Sequence, residues 1–175
     1  MGHVAIGISG LGYYPAQVGG NSYDAKYYYG IGLDYSRQLS KRWDLCSGFE
    51  YTVNRMTARP ELTGREEYDH GRFKAKLSLA SIPVEVKYHV GELVYFQGGL
   101  IFNVLAKLRE EQWQKLEDKT SNLALTLGFG LGIGFQHEFN SGIILSLYPY
   151  LKWHGVGEHL KFAQIGANLG VGYTF

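Results

Sequence analysis

From Gln164 to Phe175 the chain alternates, residue by residue, between two kinds of side chain, and it ends on an aromatic ring. Counting back from Phe175, every second position is Tyr173, Val171, Leu169, Ala167 and Ile165, while the other set is Thr174, Gly172, Gly170, Asn168, Gly166 and Gln164. A period of two marks a β-strand with two unlike faces. On a soluble sheet the polar face usually carries Lys, Glu and Arg, whereas here it carries glycine and short polar groups. Such a face suits the crowded interior of a narrow barrel, which leaves the apolar face to look outward.

The same pattern recurs upstream. Leu123, Leu125, Leu127, Phe129, Leu131, Ile133 and Phe135 alternate with Ala124, Thr126, Gly128, Gly130, Gly132, Gly134 and Gln136. Tyr27, Tyr29, Ile31, Leu33 and Tyr35 alternate with Tyr28, Gly30, Gly32, Asp34 and Ser36. Leu45, Phe49, Tyr51 and Val53 alternate with Asp44, Cys46, Gly48, Glu50, Thr52 and Asn54. The apolar parity reads as facing lipid and the other as facing a lumen. The fold class expected is all-β, an eight-stranded antiparallel up-and-down transmembrane barrel forming a single domain over residues 1–175.

Strands are expected at about 3–14, 26–39, 43–56, 72–89, 93–105, 122–139, 142–153 and 161–175. Ser40-Lys41-Arg42, Val90-Gly91-Glu92 and Asn140-Ser141-Gly142 make short turns, and the intervening connections are longer and more polar. Short turns on one rim and long loops on the other are the pattern of outer-membrane barrels, and an even strand count puts both termini on the short-turn, periplasmic side. Tyr27, Tyr29, Tyr51 and Trp153 fall near the long-loop ends of their strands, and Trp43, Tyr88, Phe139, Tyr173 and Phe175 near the short turns. Two interfacial girdles account for both groups.

Composition removes other classes. A load of 24 glycines is costly in ordinary strands unless close packing requires it. A net charge of +1 without a long basic run gives no case for nucleic acid. Cys46 is the single cysteine and forms no internal disulfide. No uncharged apolar run approaches the roughly 20 residues of a spanning helix. Met1-Gly2-His3 leads straight into strand-like Val4 to Ile8, which reads as a mature sequence without its signal peptide.

Two segments depart from the simple pattern. From Phe73 to Leu79 the apolar parity is odd, but after Pro83 it is even (Val84, Val86, Tyr88), so a β-bulge is expected near Ser81-Ile82-Pro83. Ala106 to Ser121 reads as a charged exposed loop, with a short amphipathic helical turn as the alternative, and Trp113 within it is the candidate contact for a partner or lipid.

Ile82-Pro83-Val84-Glu85-Val86-Lys87-Tyr88, Gly98-Gly99-Leu100, the run Gly128 to Phe135 and the ending Gly170 to Phe175 together resemble the small outer-membrane β-barrel domain family, of the PorT-like or OmpA-like eight-stranded type, over nearly the full chain. The resemblance implies location and architecture; it implies no shared enzymatic activity. It also implies that the terminal strand, with Leu169, Val171, Tyr173 and Phe175, is the signal read by the barrel-assembly machinery.

On the inward parity lie Asp34, Glu50, Glu85, Lys87 and Lys152, expected to form an interior polar network in which Glu85 and Lys87, two apart on one face, interact. No catalytic, cofactor or metal site is expected. His154, His159 and Glu158 at a long-loop rim, with Ser146 on the strand of His154, are the weak basis for an outer-leaflet lipid-modifying enzyme. Scattered histidines specify no zinc site, and Glu67, Asp69 and His70 in the second long loop are the one cation-binding guess. The Gly-x-Gly repeat lies within a strand, whereas a phosphate loop needs a turn that opens a helix. The leading expectation is a non-enzymatic structural or interaction module in outer-membrane lipid, presenting four extracellular loops to a protein partner. A soluble lipocalin-like binder, with the greasy faces turned inward, is the remaining alternative.

Overall fold

Alternation of this kind produces eight strands in the computed structural model, which describes residues 2–9, 21–60, 73–111, 126–156 and 160–174. They are β1 (Gly2–Ser9), β2 (Asn21–Gln38), β3 (Trp43–Pro60), β4 (Phe73–His89), β5 (Val94–Glu111), β6 (Thr126–Glu138), β7 (Ile143–Val156) and β8 (Leu160–Tyr173). Each pairs antiparallel with its neighbours in sequence, and β1 pairs with β8 from Gly2↔Val171 to Ser9↔Gln164, so the sheet closes into a barrel. No helix among the described residues is long and apolar enough to cross a membrane.

The three short turns join β2 to β3, β4 to β5 and β6 to β7. In the last, Gly142 has φ +79°, a left-handed conformation that glycine adopts without steric cost, and its N–H bonds back to the Phe139 carbonyl at 2.8 Å. Both chain ends lie on this rim: the Thr174 N–H donates to the Gly142 carbonyl at 2.9 Å, and Gly2 pairs with Leu33.

At the other end the strands run further than their sequence indicates. β2 begins at Asn21 rather than 26, β3 reaches Pro60 and β5 reaches Glu111. Ala106 to Glu111 is therefore strand, with Lys74↔Glu111 and Leu79↔Ala106 in register, and neither the charged loop nor the helical turn begins there. Among the described residues β2 to β5 are 17 or 18 residues long against 13 or 14 for β6 to β8. Tyr27, Tyr29 and Tyr51 consequently lie well inside their strands.

A register irregularity does fall beside the expected place, at Ala80/Ser81, but β4 keeps one face inward throughout. Ala75, Leu77, Leu79, Ser81, Pro83, Glu85 and Lys87 are all buried on the same parity. The extra residue sits on the neighbouring strand: Ser81 pairs with Asn103 and Ala80 with Leu105, leaving Val104 unmatched. Below this point β5 turns odd positions inward (Tyr95, Gln97, Gly99, Ile101, Asn103), and above it the buried residue is Ala106. A second irregularity, at Lys26 in β2, lies opposite the Arg55/Met56 step of β3. The sequence of β4 changes character because the upper lumen is apolar, while its backbone does not turn over.

Glycines on the inner face of β6 make room for tyrosine rings from neighbouring strands. A Cβ at Gly134 would overlap the Tyr95 ring, and one at Gly132 would lie 2.6 Å from Cε2 of Tyr148. Gly134→Ala is expected to destabilise the barrel by about 1–3 kcal/mol. Combined with Tyr95→Ala, it should cost less than the two single changes together. Urea unfolding of the four proteins in lipid vesicles measures that coupling.

Candidate functional site

The outward face is apolar on the strands whose side chains are described, β2 to β8. Ile31, Leu33, Leu127, Leu131, Leu169 and Val171 each expose more than half their area. Soluble monomers rarely carry an apolar patch beyond a few hundred Å², and an outward apolar face repeated from strand to strand of a closed sheet has the lipid-facing polarity of a transmembrane barrel. This overturns the lipocalin-like alternative, which requires the greasy faces inside. Trp43 and Tyr88 pack at 4.7 Å between ring centroids beside the short turns, and Leu169, Val171 and Tyr173 form an outward row on β8. Phe175 lies outside the described residues.

Inside, the lumen has distinct levels. Its lower half is a cavity of about 720 Å³ that reaches the short-turn rim, where Lys41, Gly91 and Thr174 line it. Asp34, Glu50, Glu85, Lys87 and Lys152 all line this cavity. The structure brings Glu50 and Lys152 into a direct ion pair, and both are almost wholly buried. Glu85 and Lys87 do not bond to each other. Glu85 Oε2 accepts from Gln97 Nε2, while the Lys87 ammonium lies 4.4 Å from the Tyr95 ring centroid and 3.5 Å from Gln136 Oε1. Alternate residues on one face need not meet when cross-strand partners lie nearer. Closer to the rim, His89 Nε2 lies 2.8 Å from Asp44 Oδ2.

Four inward tyrosines, Tyr28, Tyr95, Tyr148 and Tyr150, pack as one buried cluster. The Tyr28 hydroxyl donates to that of Tyr150 at 2.6 Å, and Tyr148 donates to the Gln97 carbonyl at 3.1 Å. Tyr95, Tyr148 and Tyr150 form a ring series with centroids 6.1 and 5.6 Å apart. Lys152 also sits 4.4 Å over the Tyr150 ring, so its charge is held by a carboxylate and a π-face together.

Above Glu50 and Lys152 a chain of hydrogen bonds crosses the lumen. Ser81 Oγ donates to Asn103 Oδ1 (2.9 Å), which is 3.1 Å from His154 Nδ1. His154 Nε2 is 3.0 Å from Gln164 Oε1, and Gln164 Nε2 donates to Asn54 Oδ1 at 2.8 Å. Asn54 ends the chain on the Leu77 carbonyl at 3.3 Å. Five strands are tied together, and Gln164 is fully buried. Next above lie Met56, Ala75, Leu77, Leu79 and Ala106, all buried. The sequence reading missed this transverse chain, although Asn54 and Gln164 share the inward parity of Glu50 and Asn168.

His154 is therefore a lumenal hydrogen-bonding residue, 3% exposed, and not a rim group beside lipid. The rim geometry expected for lipid chemistry does not form around it, because β7 continues to Val156 and carries His154 inside. Ser146 lines the lower cavity, below His154 on the same strand. Glu158, His159, Glu67, Asp69, His70 and Trp113 lie outside the described residues. Among the described residues no cluster of three or more His, Cys, Asp and Glu could hold a metal.

Eight strands, full closure, an apolar belt and a polar lumen decide the architecture. It is an integral outer-membrane type of β-barrel. No protein-family model matches the chain, and no curated protein matches it. Solved structures do. The crystal structure of Ail, the attachment invasion locus protein of Yersinia pestis, is similar at 13% identity and TM-score 0.48, covering 97% of this chain and 96% of that one. The solid-state NMR structure of outer membrane protein AlkL in DMPC bilayers is similar at 14% identity and TM-score 0.43, covering 99% and 89%.

Removing one partner of a buried ion pair leaves a charge without compensation. Lys152→Met is expected to cost about 3–5 kcal/mol, and Glu50→Leu in the same chain should recover most of that loss. Urea titration in vesicles, followed by tryptophan fluorescence, checks both.

Proposed function

We propose that this chain is a non-enzymatic integral protein of the outer membrane of a Gram-negative bacterium, with both termini periplasmic, acting as an interaction module or an accessory subunit of an envelope complex. The observation that carries the reading is the division of labour within the barrel. The lumen above Glu50 is filled by a hydrogen-bonded chain and an apolar layer. Recognition then falls to the long-loop rim, where, among the described residues, β2 to β5 are the longest strands. Rigid strands that extend beyond the membrane fix where their loops begin, and loop composition decides what is bound. Trp113, in the connection after β5, is the proposed aromatic contact with a protein partner. Outer-membrane lipid surrounds the belt, and the outward row of β8 with Phe175 is read by the barrel-assembly machinery during insertion. No cofactor or nucleic acid enters this reading.

Expressed with an export signal, the protein should fractionate with outer membranes and migrate faster on SDS gels unheated than boiled. Protease added to intact cells should cut within residues 112–125 and spare a tag at the N-terminus. A cleaved N-terminal tag on intact cells would reverse the orientation, and recovery as a detergent-free soluble monomer would refute the membrane assignment. Mass spectrometry of outer-membrane lipids should show no product that depends on the protein or on His154; such a product, lost in His154→Ala, would make it an enzyme.

A further inference from the structure

The lower cavity holds more polar capacity than its own walls use. Glu85 is 5% exposed, and its Oε1 has no hydrogen-bond partner. Asn168 Oδ1, in the lining contributed by β8, is likewise unpartnered. A buried acceptor without a donor is destabilising, the more so when it is charged. Lys87, 7% exposed and two residues along the same inward face, spends its three N–H donors on one long bond to Gln136 and the face of Tyr95. A carboxylate and an ammonium thus stand side by side in one cavity without meeting, each with bonding capacity left.

This is unlike the neighbouring Glu50 and Lys152, which satisfy each other. Glu85 Oε1 packs over Gly130, where a Cβ would lie 3.3 Å from it and equally close to the Ile101 and Lys152 side chains. Carboxylates outnumber Lys and Arg six to four in the lining, so the cavity as a whole favours a ligand that presents a cation. The spare capacity of Lys87 adds a place for a carboxylate.

We propose that the cavity is a binding site for a short zwitterion of dipeptide size, its ammonium on Glu85 Oε1 and its carboxylate on Lys87. The Cα atoms of residues two apart on one face of a strand are about 6–7 Å apart, and the Glu85 and Lys87 side chains lean to different partners, Gln97 and Gln136, so a ligand that meets both must hold its two charges apart. The terminal charges of an extended dipeptide span a similar length, whereas a free amino acid holds both within one residue. About 720 Å³ admits such a molecule together with its water. Entry is from the short-turn rim, because the transverse chain at His154 and the apolar layer at Leu77 and Leu79 close the other direction.

The test uses the full chain refolded in detergent micelles, titrated with L-alanyl-L-alanine, its C-terminal amide and its N-acetyl derivative, and followed by backbone NMR shifts. The free dipeptide should bind saturably, with shifts at β4 and β5. Each blocked form should bind at least about tenfold more weakly, the size of one lost charge-assisted contact of about 1.4 kcal/mol. Glu85→Gln and Lys87→Met should each weaken the free dipeptide by a similar factor, in barrels that retain heat-modifiable migration. Absence of a saturable shift would overturn the proposal, leaving the cavity to water. Equal binding of the amide would also overturn it, by making the site one for simple amines. The comparison of the three probes on the unmodified protein stands whether or not either variant folds.

Discussion

In hydrocarbon no water is available to an exposed N–H or C=O, so a sheet that crosses a bilayer must have no edge. The pairing of β1 with β8, from Gly2↔Val171 to Ser9↔Gln164, meets that requirement. Everything else in the molecule depends on it. Closure at eight strands fixes a narrow radius whose interior is about filled by side chains, and this explains the glycines of β6. Where Tyr95 and Tyr148 turn inward, the adjoining strand must be bare at Gly134 and Gly132.

Closure also inverts the usual distribution of polarity. The outside carries the large apolar residues because lipid receives them, and cohesion inside comes from hydrogen bonds and charge. The chain from Ser81 through Asn103, His154 and Gln164 to Asn54 ties β4, β5, β7, β8 and β3 across the lumen. Above it the interior turns apolar at Leu77 and Leu79. The interior is therefore graded along the axis, from a charged cavity at the short turns to an apolar layer under the long loops. Glu50 and Lys152 stand at the boundary, paired with each other. Glu85 and Lys87, one level lower, face the cavity and keep capacity for something else.

The alternation of Leu127 to Phe135 with Gly128 to Gln136, and its repeats in the strands around it, determined the strand count, the antiparallel order, the short turns and which side faces lipid. These are properties of a period of two and of turn chemistry, both local to the chain. The inward placement of Asp34, Glu50, Glu85, Lys87 and Lys152 followed from the same parity. What parity does not carry is the identity of partners across the lumen. Glu50 meets Lys152 from the far side of the barrel, and Glu85 turns to Gln97 rather than to Lys87, because these choices depend on stagger and side-chain reach between strands. For the same reason the apolar shift in β4 resembled a bulge. Only the closed barrel shows that Leu77 and Leu79 face an apolar lumen, that the extra residue is Val104 on β5, and that His154 lies inside the wall, because burial in a barrel is set by what stands opposite.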